Sequence, residues 1–352
     1  MGEHLQTSQT RKRRSFSAPT IDDVAHQAGV STATVSRCLN TPDRVNPDTR
    51  ERVMIAVNAL GYEPNFGARV MAAKRSNTIG AIIPTMENAI FARGLQAFQE
   101  ELDRNAYTLL VASSSYQPKL EQQQLRTLLA RGADAMLLIG FARDQESYTL
   151  LSNRQVPTVV AWSYREDSPI ASVGFDNYLA MRELANLVFH HGHRRLAVIS
   201  APSAHNDRAA ERIHGVRDSA AKNGIDPKSL RIIETNYSID NGAKAAHELL
   251  TATDRPTALI CGNDVLAVGA LKAARELSLR VPDDLSITGF DDIELAQIAD
   301  PALTTVHVPH REMGRRAAKL LINMVEKGQR LPSEALATRI ENRGTLGPAP
   351  KD

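Results

Sequence analysis

Two rhythms of apolar residues divide the chain. From Thr20 to Tyr62 the apolar positions recur at helical spacing in three short segments set apart by tight punctuation, with no run that alternates as a strand would. Beyond Asn77 the beat changes to strand-like apolar runs of four to seven residues alternating with amphipathic helical stretches. TIGAIIP (78–84), TLLVA (108–112), AMLLI (135–139), TVVAW (158–162), LAVIS (196–200), ALICG (258–262) and SITGF (286–290) are the predicted strands. Helices are predicted through Phe98 to Asn105 and through Leu125 to Arg131. Continuous apolar strands separated by helices specify parallel sheets covered on both faces, a doubly wound α/β body.

That body is longer than one usual sheet requires. Polar breaks at SYREDSP (163–169) and ADPALTT (299–305) suggest two lobes with chain crossings between them. The expected division is an N-lobe of about 77–168 and 306–330 and a C-lobe of about 169–305 and 331–345. Parallel sheets take ligands beyond the carboxyl ends of their strands, so a cleft between the lobes is the predicted pocket. Residues 1–19 lack apolar periodicity and read as a flexible basic extension carrying Arg11-Lys12-Arg13-Arg14, which suits phosphate contacts or a plain solvated tail.

Composition narrows the class. The chain has 352 residues, 42% hydrophobic and 23% charged, and no apolar run approaches the roughly 20 residues that span a bilayer. The basic N-terminus is followed by no apolar stretch of the secretory kind, which predicts a cytoplasmic protein with no membrane partner. Cys38 and Cys261 have no metal-ligand or paired spacing, so neither a disulfide framework nor a zinc site is expected. The net charge of +2 is unevenly spread: residues 1–76 hold 11 Lys/Arg against 7 Asp/Glu, leaving the remainder slightly acidic. A basic head suits a polyanion.

Thr20-Ile21-Asp22-Asp23 fits a capping box that starts a helix, and Val24, Ala25 and Ala28 give that helix an apolar stripe. Gly29 supplies a left-handed stop, and Ser31 caps a second helix over Thr32 to Leu39, with Val35 and Leu39 turned to the core. Two short helices joined by a Gly-containing turn make a helix-turn-helix. The second helix offers Thr32, Ala33, Thr34, Ser36 and Arg37, small side chains that permit close approach to the major groove and a guanidinium that can grip guanine O6 and N7. On spacing alone, a plain capped hairpin with Arg37 on a solvated face is also open.

TIDDVAHQAGVSTATVSRCLN followed by RVNPDTRERVMIAVNALGYEPN resembles the DNA-binding headpiece of the LacI/GalR family of bacterial repressors. The likeness continues through VGFDN (173–177), HGHRRLAVIS (191–200), CGNDVLAVGAL (261–271), VPDDLSITGFDD (281–292) and PALTTVHVP (301–309). The resemblance implies a headpiece over 20–63, a hinge over 64–76, and an effector-binding and dimerisation domain over 77–345 of the periplasmic-binding-protein-like kind. It places Thr32, Ala33 and Arg37 at base-reading positions, and Thr20, Ser31, Thr34, Ser36 and Asn46 at backbone phosphates. Ala33 departs from the longer polar residue of some members and suits a thymine methyl. In NFGARVMAAKRSN, Met71 stands where the family wedges a leucine into the minor groove, with Ala68 and Arg69 beside it.

For the effector, Arg208, Asn263 and Asp291 follow predicted strands and match the family's ligand positions. Asp264 reads as a helix N-cap, and Asp292 as part of a turn pair. Phe91, Trp162 and Tyr116 offer aromatic faces from the other lobe, although such aromatics are commonly core. His190, His191 and His193 lie at a helix end and read as structural. NAIFARGLQAF, SSSYQPKLEQQQL and DRAAERIHGV are most similar to gluconate-type members, which points to a sugar or a sugar acid such as gluconate.

The expected protein is a non-enzymatic repressor without a cofactor, a homodimer on palindromic operator DNA, controlled by that small molecule. Repression relieved by the effector is the default expectation, and corepression is equally compatible with these residues. The C-terminus lacks the leucine heptads that bundle dimers into tetramers. A transport-type sugar-binding protein is the rival from another class, but it has no use for the head. An enzyme is opposed by the lack of GxSxG, a P-loop, HExxH and a GxGxxG after the first strand.

Overall fold

The computed structural model describes residues 18–63, 75–87 and 89–351. The basic tail around Arg11–Arg14 and the hinge positions Ala68, Arg69 and Met71 lie outside the described residues. The chain divides into two compact units, Met1–Ser76 and Asn77–Asp352.

The first unit is helical for reasons local to its sequence. Helix α1, Ile21–Ala28, opens on the reciprocal capping box: the Thr20 hydroxyl accepts from the Asp23 N–H at 3.3 Å, and the Thr20 N–H donates to Asp23 Oδ2 at 2.8 Å. Gly29 stops it at φ +65°, a left-handed conformation that a side chain resists. Helix α2, Thr32–Asn40, is capped by Ser31, and α3, Pro47–Leu60, by Asn46, whose Oδ1 accepts from Asp48 N–H at 2.9 Å. Val24, Ala25, Ala28, Val35, Cys38, Val53, Ala56, Val57 and Tyr62 form the core. Leu39, expected in that core beside Val35, packs only at its margin, and Cys38 takes the fully buried place.

The second unit runs β1 (Thr78–Ile83), α4 (Ala89–Arg104), β2 (Thr108–Ser113), α5 (Pro118–Ala130), β3 (Ala135–Ile139), α6 (Gln145–Asn153), β4 (Thr158–Ala161) and β5 (Ala171–Gly174). It continues with α7 (Asn177–His190), β6 (Leu196–Ser200), α8 (Asp207–Lys222), β7 (Arg231–Glu234), α9 (Ile239–Leu250), β8 (Ala258–Cys261), α10 (Asp264–Glu276) and β9 (Ser286–Thr288). The last elements are α11 (Glu294–Ile298), β10 (Thr305–His307), α12 (His310–Lys327), β11 (Glu334–Ala335) and β12 (Arg339–Glu341).

Two parallel sheets result. The first has the order β11-β5-β4-β3-β1-β2 and the second β7-β6-β8-β9, with every pairing parallel. The inner strands β1, β3, β4, β6 and β8 are buried along their whole length, which is why they read as unbroken apolar runs. An antiparallel ribbon of β10 and β12 joins the lobes, an element that the parallel pattern did not announce.

The lobe boundaries differ from the expected ones. SYREDSP is the β4-to-β5 connection inside the first lobe, because β5 pairs directly with β4, Val159 opposite Ala171. The crossing comes after Gly174, just before α7. β11, expected in the second lobe, returns to pair with β5. Four-residue and two-residue strands carry too little apolar periodicity to be assigned to a sheet from sequence. No helix among the described residues is long and apolar enough to cross a membrane.

Candidate functional site

In the first unit, α2 turns Ala33, Arg37 and Asn40 to solvent at spacings of four and three, while Val35 and Cys38 face inward. Arg37 forms no ion pair among the described residues, and it is exposed on that face. Thr32, Thr34 and Ser36 flank it and are half-buried. Thr34 Oγ1 lies 2.9 Å from Ser31 Oγ, and Ser36 Oγ accepts from Asn40 Nδ2 at 3.2 Å. Thr20, Ser31 and Asn46 each cap a different helix, so three helix N-termini, with their partial positive charge and outward N–H groups, stand at the positions expected to meet phosphates.

In the second unit three of the predicted effector residues, Tyr116, Arg208 and Asp291, lie within electrostatic reach of one another. Asp291 is buried, at φ +106°, and both carboxylate oxygens lack a hydrogen-bond partner. Burial pushes its carboxyl up to about 7, while the Arg212 and Arg208 guanidinium groups work the other way. A strained backbone carrying an unsatisfied buried carboxylate is costly to fold and is kept where a ligand can satisfy it.

Asn263 supplies the α10 N-cap, accepting the Leu266 N–H at 2.9 Å, so the cap is Asn263 and not Asp264. Its Nδ2 is buried and has no partner. Asp264 instead fixes the loop that carries Asp291: it accepts Thr305 Oγ1–H at 2.6 Å and Ile293 N–H at 2.8 Å. Asp292 is held by His307 at 2.8 Å and Arg343 at 2.6 Å, and is not free for a ligand.

Arg212, one turn beyond Arg208 on α8, is the residue that the sequence reading passed over. Its Nε donates to Asn177 Oδ1 at 2.9 Å and its Nη1 to the Gly262 carbonyl at 2.6 Å, and the guanidinium lies 4.0 Å from the Phe290 ring centre. These partners are neutral. Arg208, by contrast, is neutralised by Asp207 at 2.9 Å and also reaches the Ile139 carbonyl at 3.1 Å. The signal for Arg212 was present: two arginines four apart share a helix face.

Tyr116 from the first lobe and Tyr237 from the second face each other with ring centres 6.2 Å apart. Burial raises the pKa of both phenols, so both are proton donors and acceptors at neutral pH. Tyr237 was not singled out from sequence, because β7 is too short to flag its end. Trp162 and Phe91 form an edge-to-face pair with ring centres 5.4 Å apart. Trp162 Nε1–H donates to His310 Nδ1 at 3.2 Å, and its carbonyl accepts Asn177 Nδ2–H at 2.9 Å. Both aromatics are buried in the main core cluster. His310 is kept neutral because burial lowers its pKa to about 3.

Comparison with known proteins agrees with this two-part construction. Residues 20–65 match the family model described as bacterial regulatory proteins, lacI family, and residues 185–346 match a periplasmic binding protein-like domain. The HTH-type transcriptional repressor CytR of Escherichia coli (strain K12) is 32% identical over 92% of this chain and 94% of its own. The chain belongs to the LacI family of bacterial transcription regulators. A LacI-family regulator from Silicibacter pomeroyi superposes with a TM-score of 0.86 at 26% identity, covering 94% of this chain and 99% of that one. The Lac repressor dimer bound to operator and the anti-inducer ONPF gives 0.83 at 26% identity, covering 94% and 100%.

LacI-family membership fixes the architecture as a helix-turn-helix headpiece plus a two-lobed α/β domain, and the class as a regulator that is not an enzyme. Of the three histidines near residue 190, His190 is exposed and His193 is structural. His193 is buried and bonded to Thr257 and Ser286, and burial lowers its pKa. Both cysteines are free and buried.

Proposed function

We propose that this LacI-family regulator is a repressor that binds a palindromic operator as a homodimer and is controlled by a neutral polyhydroxylated effector, a sugar, held between its lobes. The observation that carries the effector reading is Asp291. Its two unpartnered oxygens lie within electrostatic reach of the Arg212 and Arg208 guanidinium groups, and the Asn263 Nδ2 at the start of α10 is likewise buried without a partner. That set suits vicinal hydroxyls, each able to donate to the carboxylate and accept from Arg212 or Asn263. Of the aromatic candidates, Tyr116 lies within electrostatic reach of Asp291, Arg208 and Arg212, while Phe91 and Trp162 stay in the core.

A sugar acid such as gluconate is the second reading, favoured by Arg212 having only neutral partners. Arg208, which sequence suggested for that carboxylate, is already neutralised by Asp207. The two readings predict opposite pH dependence. A diol needs ionised Asp291, so affinity rises as pH passes about 7. A ligand carboxylate beside Asp291 needs it protonated, so affinity falls over the same range. Calorimetric titration of ribose, glucose, cytidine and gluconate at pH 6 and 8 separates them. Gluconate binding that weakens with pH overturns the neutral-ligand reading, and no binding by any polyol overturns the effector site.

On DNA, Thr32, Ala33 and Arg37 read bases while Thr20, Ser31, Thr34, Ser36 and Asn46 meet phosphates, with Met71, Ala68 and Arg69 of the hinge in the minor groove. The relative solved as a dimer on operator supports the dimeric operator reading. Operator binding measured at a stated salt concentration, with and without effector, decides the sign of the coupling.

A further inference from the structure

We propose that Asp207 is a clasp between the lobes, an internal ligand that holds the cleft closed before any effector arrives. Asp207 and Arg208 form the first turn of α8 in the second lobe, yet their partners lie at the end of β3 in the first. Asp207 Oδ2 accepts the Phe141 N–H at 2.7 Å, and Arg208 Nη1 donates to the Ile139 carbonyl at 3.1 Å and to Asp207 Oδ1 at 2.9 Å. Both side chains are 8% exposed, so the pair is buried between the lobes. Burial alone raises the Asp207 pKa, but Arg208, the Phe141 N–H, Arg143 and Arg165 together hold it below its ordinary value.

The receiving surface is shaped for this approach. Gly140 sits between the accepting Ile139 carbonyl and the donating Phe141 N–H at φ +68°, and a Cβ there would lie 1.7 Å from Arg208 Nη1 and 2.3 Å from Asp207 Oδ1. Only glycine leaves room for the clasp at that position. Arg165 lies over the Phe141 ring at 4.7 Å, and Arg143 is fixed by Glu121 at 2.9 Å and by Tyr148 at 3.1 Å, so the first lobe surrounds the incoming carboxylate with positive charge. Strand ends that would be exposed in an open form are therefore satisfied by the protein itself. The consequence is that the ligand-free protein already populates the closed form, and the effector is not required to supply all of the closure energy.

The clasp stands on lobe geometry and holds whichever small molecule the cleft takes, so its test needs no ligand. Spin labels on Lys119→Cys and Asp240→Cys, exposed positions three residues from Tyr116 and Tyr237, report the cleft mouth in the full-length chain. Native Cys38 and Cys261 are buried and leave the labelling clean. Asp207→Ala is expected to lower the closed-to-open ratio about tenfold or more, the factor carried by a charged hydrogen bond. Gly140→Ala attacks the same contact from the opposite lobe and is expected to broaden and lengthen the same distance distribution. If Asp207→Ala fails to melt cooperatively, Asp207→Asn and Gly140→Ala decide. A ligand-free distance distribution identical to that of the parent in the folded variants overturns the clasp.

Discussion

Asp291→Asn separates the folding role of the cleft from its binding role. In the folded chain the Asp291 carboxyl holds its proton up to about 7, against an ordinary value of 3.8. Well below pH 3.8 both folded and unfolded chains keep the proton, and there is no penalty. As pH rises the unfolded chain ionises first, so stability falls by about 1.4 kcal/mol per pH unit until the folded carboxyl also ionises near 7. The full penalty is ~4 kcal/mol above pH 7, of which ~2.5 kcal/mol develops between pH 5 and pH 8. Asparagine removes the titration while keeping the shape.

The amide brings its own cost, about 1–3 kcal/mol for a buried N–H2 without partners, but that offset does not depend on pH. Comparing parent and variant at pH 5 and pH 8 therefore isolates the carboxyl. The difference in melting temperature between the two proteins is expected to shift toward the variant by on the order of 6 °C across that range. Asp264 also has a carboxyl raised by burial, with Asp291 among the groups raising it, so loss of the Asp291 charge adds slightly to the shift in the same direction. The same variant should lose effector affinity by about a hundredfold or more, because an acceptor for two charged hydrogen bonds is gone. A stability difference that stays constant from pH 5 to pH 8 refutes the reasoning, since it means that the Asp291 carboxylate is solvated or paired.

Three further outcomes are expected. Arg37→Ala should cost about 1–3 kcal/mol of operator discrimination while leaving effector binding unchanged; an unaltered base preference in competition with mismatched operators removes Arg37 from the reading set. Arg212→Ala should abolish effector-dependent change in operator binding and leave basal operator binding intact, and an intact effector response shows that the cleft does not use it. Arg208→Ala should leave a ligand response at reduced apparent affinity, measured calorimetrically, because its role runs through closure; a complete loss matching Arg212→Ala makes it a direct contact instead.

The head was legible in the sequence because its signals are local. The Thr20 capping box, the Gly29 stop and the Ser31 cap each involve residues four or fewer positions apart, and each forms as the spacing dictates. Buried parallel strands were legible for a similar reason, as β3 and β6 lie where the apolar runs end. Legibility failed where a residue's role depends on a partner far along the chain. Nothing near Asp207 announces Phe141, 66 positions away, and nothing near Asn263 shows that its oxygen is spent on the helix and only its nitrogen left over. Arg208 and Arg212 look alike in sequence; the acid beside Arg208 pairs with it, while the hydrogen-bond partners of Arg212 are neutral. Short strands such as β5 and β11 failed differently, since the pairing that assigns them to a lobe is long-range.

A ligand in the cleft acts on the head only if its contacts are joined to something that moves the first lobe, and Asp291 is so joined. Its backbone carbonyl accepts His310 Nε2–H at 3.2 Å, and His310 Nδ1 accepts the Trp162 indole N–H at 3.2 Å. His310 begins α12, which packs on α4 in the first lobe, where Gly94 and Gly314 let the two helix backbones approach closely. The chain His310–Trp162 is neutral and buried, so it transmits position and not charge: a neutral imidazole with one nitrogen donating and the other accepting has a single allowed tautomer. His310→Phe fills the space and removes both hydrogen bonds. If the link carries the coupling, that variant keeps effector binding and operator binding but loses most of the dependence of one on the other, measured as the ratio of operator affinities with and without effector. An unchanged ratio places the coupling elsewhere between the lobes, with the Asp207 clasp as the next element to test.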